Sequence, residues 1–118
     1  MSRGVVMLLL LVGPPTRAWD DHKQVVGVLV DQKCARFYLE EPAELSSHGK
    51  RCAAACRESG YGVMVGKEYL AFSAQDSRIA ETWLARTSRE KDLKVVVVFR
   101  LDPASRNYTV ESITDAAE

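Results

Sequence analysis

Reactive side chains are scarce in this chain: three cysteines and two histidines in 118 residues. Three is odd, so at most one intrachain disulfide forms and one thiol is left over. The tight Cys-x-x-Cys knuckle common in structural zinc sites is missing. No pattern marks a nucleophile with its base and orienting group, so a non-enzymatic protein is expected. Charge of one sign is also lacking. Sixteen Lys and Arg face sixteen Asp and Glu, which argues against nucleic acid as the main partner, because phosphate binding relies on clustered cations. No apolar run reaches the roughly 18 residues of a membrane span. There is no internal repeat and no low-complexity tract.

What is present begins with a leader. Arg3 supplies a positive start, Val5 to Val12 a short apolar run, and Gly13-Pro14-Pro15 a helix break. Thr16-Arg17-Ala18 then places small residues at −3 and −1 before Trp19, the layout of a secretory signal peptide over residues 1–18. No cysteine follows that site directly, which argues against a lipid anchor. Residues 19–118 are expected to form one domain in the periplasm or outside the cell, with no membrane insertion after cleavage. Losing Arg3 and Arg17 leaves 14 basic against 16 acidic residues, a net charge of −2. His22, close to the new N-terminus, is expected in a disordered end.

The pattern that follows is mainly β. Gln24 to Val30 is a β-branched run of strand length, and Gly27 within it signals a bulge or bend. Gln32 to Leu45 reads as a loop with one helical turn at most. Ser46 or Ser47 caps a short helix to about Arg57. Tyr61–Val65 and Glu68–Phe72 form a hairpin across Gly66-Lys67, whose leading glycine suits a type II′ turn. Ser73-Ala-Gln-Asp76 is a capping box for a helix with Ile79, Ala80, Trp83, Leu84 and Thr87 on one stripe. Arg86 to Lys91 reads as a solvated loop. Leu93 to Leu101 is the strongest strand, with every odd position apolar. Tyr108 to Ile113 is the last strand, and Thr114 to Glu118 a tail. Five strands with a helix between the third and fourth predict an α+β fold, a five-stranded OB-fold-like barrel with an enlarged, partly helical first loop. The alternative is an open α+β roll with the helix on one face.

The enlarged first loop carries the chemistry. It holds Cys34, His48, Cys52 and Cys56, the last three spaced by four, which on one helix places them near one face. Three readings stand open. Cys34 bonds Cys52 or Cys56 in a disulfide that pins the loop. Alternatively Cys34, His48, Cys52 and Cys56 form a tetrahedral set for Zn2+ or Cu+. In the third, His48 activates Cys52 as a reactive thiol. Tyr61, Tyr69 and Phe72 on the second and third strands are candidates for a ligand groove, beside the plainer reading that they pack the barrel.

Val26-Gly27-x-x-Val30-Asp31-x-x-Cys34, His48, Cys52-x-x-x-Cys56, Gly60-x-Gly62-Val63-x-x-Gly66-Lys67-x-Tyr69, Leu93-Lys94-Val95-x-Val97 and Val110-Glu111-Ser112-Ile113 together are similar to small exported bacterial proteins of uncharacterised function, which resemble the bacterial OB-fold families. The likeness covers nearly all of residues 19–118. Asp102-Pro-Ala-Ser-Arg106 departs from it, standing where a short Asp-Gly turn is usual. The resemblance implies an OB-like fold and export, and carries no catalytic residue. The function expected is a binding or adaptor module of the bacterial envelope, meeting an envelope protein, a glycan or a small ligand. Envelope metal handling with Zn2+ or Cu+ is the alternative.

Overall fold

The structure, a computed structural model, describes residues 21–117; the expected signal peptide over residues 1–18, and Trp19, lie outside them. The fold is α+β. Five antiparallel strands run β1 His22–Asp31, β2 Tyr61–Val65, β3 Glu68–Ala71, β4 Lys94–Leu101 and β5 Tyr108–Asp115. Among the described residues three α-helices accompany them: α1 Gln32–Glu40, α2 Lys50–Ala55 and α3 Ala74–Arg86. The strands are ordered β3-β2-β1-β4-β5 in one open sheet. Each neighbouring pair is antiparallel, so the edge strands β3 and β5 point the same way. No hydrogen-bonded pairing joins them, so the expected barrel is not closed. The sheet stays open, as in the alternative roll, but helices pack on both of its faces rather than one.

β1 is the centre because it serves two partners in succession. His22 to Val28 pair with β4, and Val28 to Asp31 pair with β2. Gly27 sits at this changeover. A Cβ there would lie 2.3 Å from the Met64 carbonyl oxygen and 2.8 Å from a Val63 methyl, so only glycine lets β2 approach so closely. His22 is no frayed end: it opens β1, pairs with Arg100, and sets Nε2 3.4 Å from Glu111.

Each face of the sheet has its own core. Leu29, Tyr61, Val63, Val95 and Val97 pack under the Ala80, Trp83 and Leu84 stripe of α3. On the other face Val30 and Met64 pack under Ala35 of α1, with Tyr38, Leu45 and Tyr69 around them. At the hairpin, φ is +61° at Gly66 and Lys67 stays at negative φ, as a type II′ turn requires. Ser73 caps α3 by accepting from the Asp76 amide, while the Asp76 carboxylate accepts from the Val110 amide on β5.

Three further expectations are corrected. Gln32–Glu40 is a nine-residue helix, not a loop: Asp31 caps it by accepting from the Cys34 amide, and Pro42 follows its end. Thr114 and Asp115 continue β5, where Asp115 Oδ1 accepts from Trp83 Nε1 at 2.7 Å and from Thr87 at 3.1 Å. The segment after α3 is tied down as well. Arg89 donates to the carbonyls of Lys94 and Ala116 and lies 3.9 Å from Asp115.

Candidate functional site

His48, Cys52 and Cys56 do not share a helix face. Residues Pro42–Ser47 form a 3-10 turn, His48 is extended, and α2 holds only Lys50–Ala55. Gly49 explains the shortening. It bridges Lys91 across the chain, Lys50 donates to the Glu90 carbonyl, and a Cβ on Gly49 would stand 2.7 Å from that oxygen. The tertiary bridge therefore wins over helical spacing. Cys52 remains on α2, exposed, and Cys56 forms its C-cap.

His48 is instead drawn under α1, where the described residues form a line of polar contacts. Tyr38 Oη stands 3.2 Å from His48 Nδ1, and His48 Nε2 stands 3.2 Å from Asp31 Oδ1. Asp31 and His48 are both sealed from solvent. A carboxylate offers no proton, so the ring nitrogen facing it carries the N–H, and Nδ1 accepts from the Tyr38 hydroxyl. The Nε2–Oδ1 contact is short but off the alignment of a full hydrogen bond. Asp31 Oδ2 accepts from the Cys34 amide at 3.0 Å. Burial alone would raise the Asp31 pKa. The His48 contact and the Cys34 amide and thiol outweigh it and hold the carboxyl below its usual value.

Asp31, Cys34 and Cys56 come together: a carboxylate oxygen and two sulfurs lie within 4.8 Å of one another. No disulfide forms, and all three cysteines are free. Of the candidate disulfide partners, the structure brings Cys34 to Cys56 and leaves Cys52 outside. Of the candidate metal ligands Cys34, His48, Cys52 and Cys56, only Cys34 and Cys56 share the cluster. His48 faces it only through Asp31, with Nδ1 against the Tyr38 hydroxyl and Nε2 3.2 Å from Asp31 Oδ1. The thiol chemistry follows. Burial, then the Asp31 carboxylate, pushes the Cys34 thiol up to about 12, far from a reactive thiolate. His48 is turned to Tyr38 and Asp31 in the interior, whereas Cys52 is exposed. Asp31, the residue that organises the site, has a local signature in Asp31-x-x-Cys34 as a helix cap.

The candidate groove aromatics are divided by the sheet. Tyr61 is buried on the α3 face and donates to the Ala53 carbonyl at 2.8 Å. Tyr69 lies on the α1 face and donates to the Val30 carbonyl at 2.9 Å. Both hydroxyls are committed, and burial raises both pKa values. Tyr61 and Phe72 border a polar cleft beside Gln32 and Arg78, and Phe72 also lines an apolar groove. That groove lies where β3 and β5 fail to meet. It encloses about 640 Å3 and is lined by Val25, Leu70, Phe72 and Phe99, with Lys23 and Tyr108 at its rim. Phe72 and Phe99 meet edge to face at 6.3 Å, and Lys23 Nζ sits 4.8 Å from the Tyr108 ring centre. Leu70 and Tyr108, 39% and 38% exposed, are large apolar side chains left in solvent on the two sheet edges. Among the described residues no helix is long and apolar enough to cross a membrane. No family model, no curated relative and no solved structure matches this chain.

Proposed function

We propose that the domain is an exported, non-enzymatic binding module of the bacterial envelope that holds an apolar, extended segment of a partner protein in the seam between β3 and β5. The supporting observation is the placement of Leu70 and Tyr108 on the two edges of one groove whose lining is Val25, Phe72 and Phe99. Its volume falls within the few hundred to a thousand Å3 usual for binding clefts. The apolar part of the lining suits aliphatic or aromatic side chains, while Ser73, Ser105, Asn107 and Thr109 in the same lining offer polar partners to the segment's backbone. The seam also lies between two edge strands, and an extended chain recognises such edges through its backbone. The strand order supports kinship with OB-folds, since joining β3 to β5 would complete a five-stranded ring. The natural edge is partly guarded, because the Asp76 carboxylate already takes the Val110 amide of β5. Pairing is therefore expected on the β3 side.

The test is a selection of displayed random peptides on residues 19–118, repeated with Leu70→Lys. Apolar peptides that bind the parent and lose at least tenfold in affinity for Leu70→Lys support the reading. Peptides that bind both equally, or a selection that enriches nothing, defeat it.

A further inference from the structure

We infer that Asp31, Cys34 and Cys56 form a three-ligand site for a tetrahedral divalent ion of the zinc class, with its fourth position open to solvent. One carboxylate oxygen and two sulfurs already lie within 4.8 Å of one another. Zinc holds ligands at about 2.0–2.3 Å, so tetrahedral neighbours stand under about 4 Å apart, and side-chain rotation closes the difference. The donor set suits a borderline-soft ion: two thiolates with one carboxylate, where cuprous copper would have no use for the oxygen.

The surroundings point the same way. Asp31 is wholly buried, yet its Oδ1 lacks an aligned hydrogen-bond partner, as does Nε2 of buried His48 beside it. Ligating carboxylates are commonly held by an outer polar partner, and here His48 Nε2 stands 3.2 Å from Oδ1, with the Tyr38 hydroxyl behind it at Nδ1. Cys56 opens onto a surface cleft lined by Lys33, Ala55, Arg57 and Ser59, which gives an ion access. A carboxylate and two thiolates around a divalent ion leave one surplus negative charge, and the cleft's Lys33 and Arg57, against the single Glu58, offset it. Cys52, exposed on α2, and His48, turned to Tyr38 and Asp31, are outside the ligand set. This assignment is independent of the groove, which lies on the α3 face.

The experiment is Co2+ titration of the reduced, metal-free full chain, followed by its thiolate-to-cobalt charge-transfer absorption. One Co2+ per chain is expected, displaced by Zn2+. Cys34→Ser and Cys56→Ser should each remove most of the band, and Cys52→Ser should leave it unchanged. Asp31→Asn, which keeps the helix cap, should weaken Co2+ at least tenfold without weakening Cu+. His48→Gln should weaken Co2+ about 10- to 100-fold with the stoichiometry intact. Circular dichroism confirms that each variant is folded. A band that survives Cys34→Ser, a band lost in Cys52→Ser, or no band at all overturns the assignment. So does a Cys34–Cys56 disulfide that forms equally fast with and without saturating Zn2+.

Discussion

Asp31 Oδ1 and His48 Nε2 lie 3.2 Å apart with both side chains shut away from solvent. This contact ties the C-terminal end of the central strand to the chain between the 3-10 turn and α2. The same carboxylate caps α1 through the Cys34 amide. One residue thus fastens the sheet, the helix on its second face and the loop that carries the cysteines.

Asp31→Ala should lower stability by about 2–4 kcal/mol. Loss of the cap accounts for about 1 kcal/mol, and stranding buried His48 for about 1–3 more. In a domain near 100 residues that moves Tm by roughly 10 °C or more. Asp31→Asn retains the cap and should cost clearly less. Thermal melts of the two variants check this, and equal losses would show that the helix cap, which Asn retains, contributes little.

The depressed pKa of Asp31 gives stability a pH dependence of definite sign. Between the folded pKa and the usual value of 3.8, the unfolded chain binds more protons than the native one. The contribution is therefore present above about pH 4 and is lost as pH falls through the lower folded pKa. Urea midpoints measured from about pH 6 down to about pH 3 should fall less steeply for Asp31→Asn than for the parent. Parallel curves would remove Asp31 from the acid limb.

Two glycines should fail for different reasons. Gly27→Ala forces a Cβ against the Met64 carbonyl at 2.3 Å, an overpacking that costs about 1–3 kcal/mol or more. Gly66 has open space around it but φ of +61°, so alanine there costs about 1 kcal/mol and asparagine less. Chemical denaturation of Gly27→Ala, Gly66→Ala and Gly66→Asn should rank them in that order, most to least harmful.

Where the signal was local, the sequence was readable. The Gly66-Lys67 turn, the Ser73 cap, the apolar stripe of α3 and the alternation of β4 all depend on neighbours within a few residues. What was missed depended on distant partners. α1 carries exposed Phe37 and Leu39 beside half-buried Tyr38, which blurs its helical period. The spacing of His48, Cys52 and Cys56 fits one helix until Gly49 is taken by Lys91. Asp115 looked like tail because Trp83 and Thr87, its partners, are far back in the chain. The pairing of Cys34 with Cys56 followed only once α1 and α2 were placed.

The Asp115 attachment is itself testable. Asp115→Ala leaves the Trp83 indole N–H and the Thr87 hydroxyl without their shared acceptor. A loss of about 1–2 kcal/mol is expected, with a change in the tryptophan near-ultraviolet dichroism. An unchanged melting curve and spectrum would return residues 114–117 to the status of a tail.

The binding seam is tested most directly by amide chemical-shift mapping of isotope-labelled protein with a selected apolar peptide. The account predicts shifts concentrated at Leu70–Phe72 on β3, at Phe99, and at Tyr108 and Thr109 on β5, with the α1 face around Tyr38 and Tyr69 unmoved. Shifts gathered on the α1 face, or scattered without regard to the seam, would contradict it.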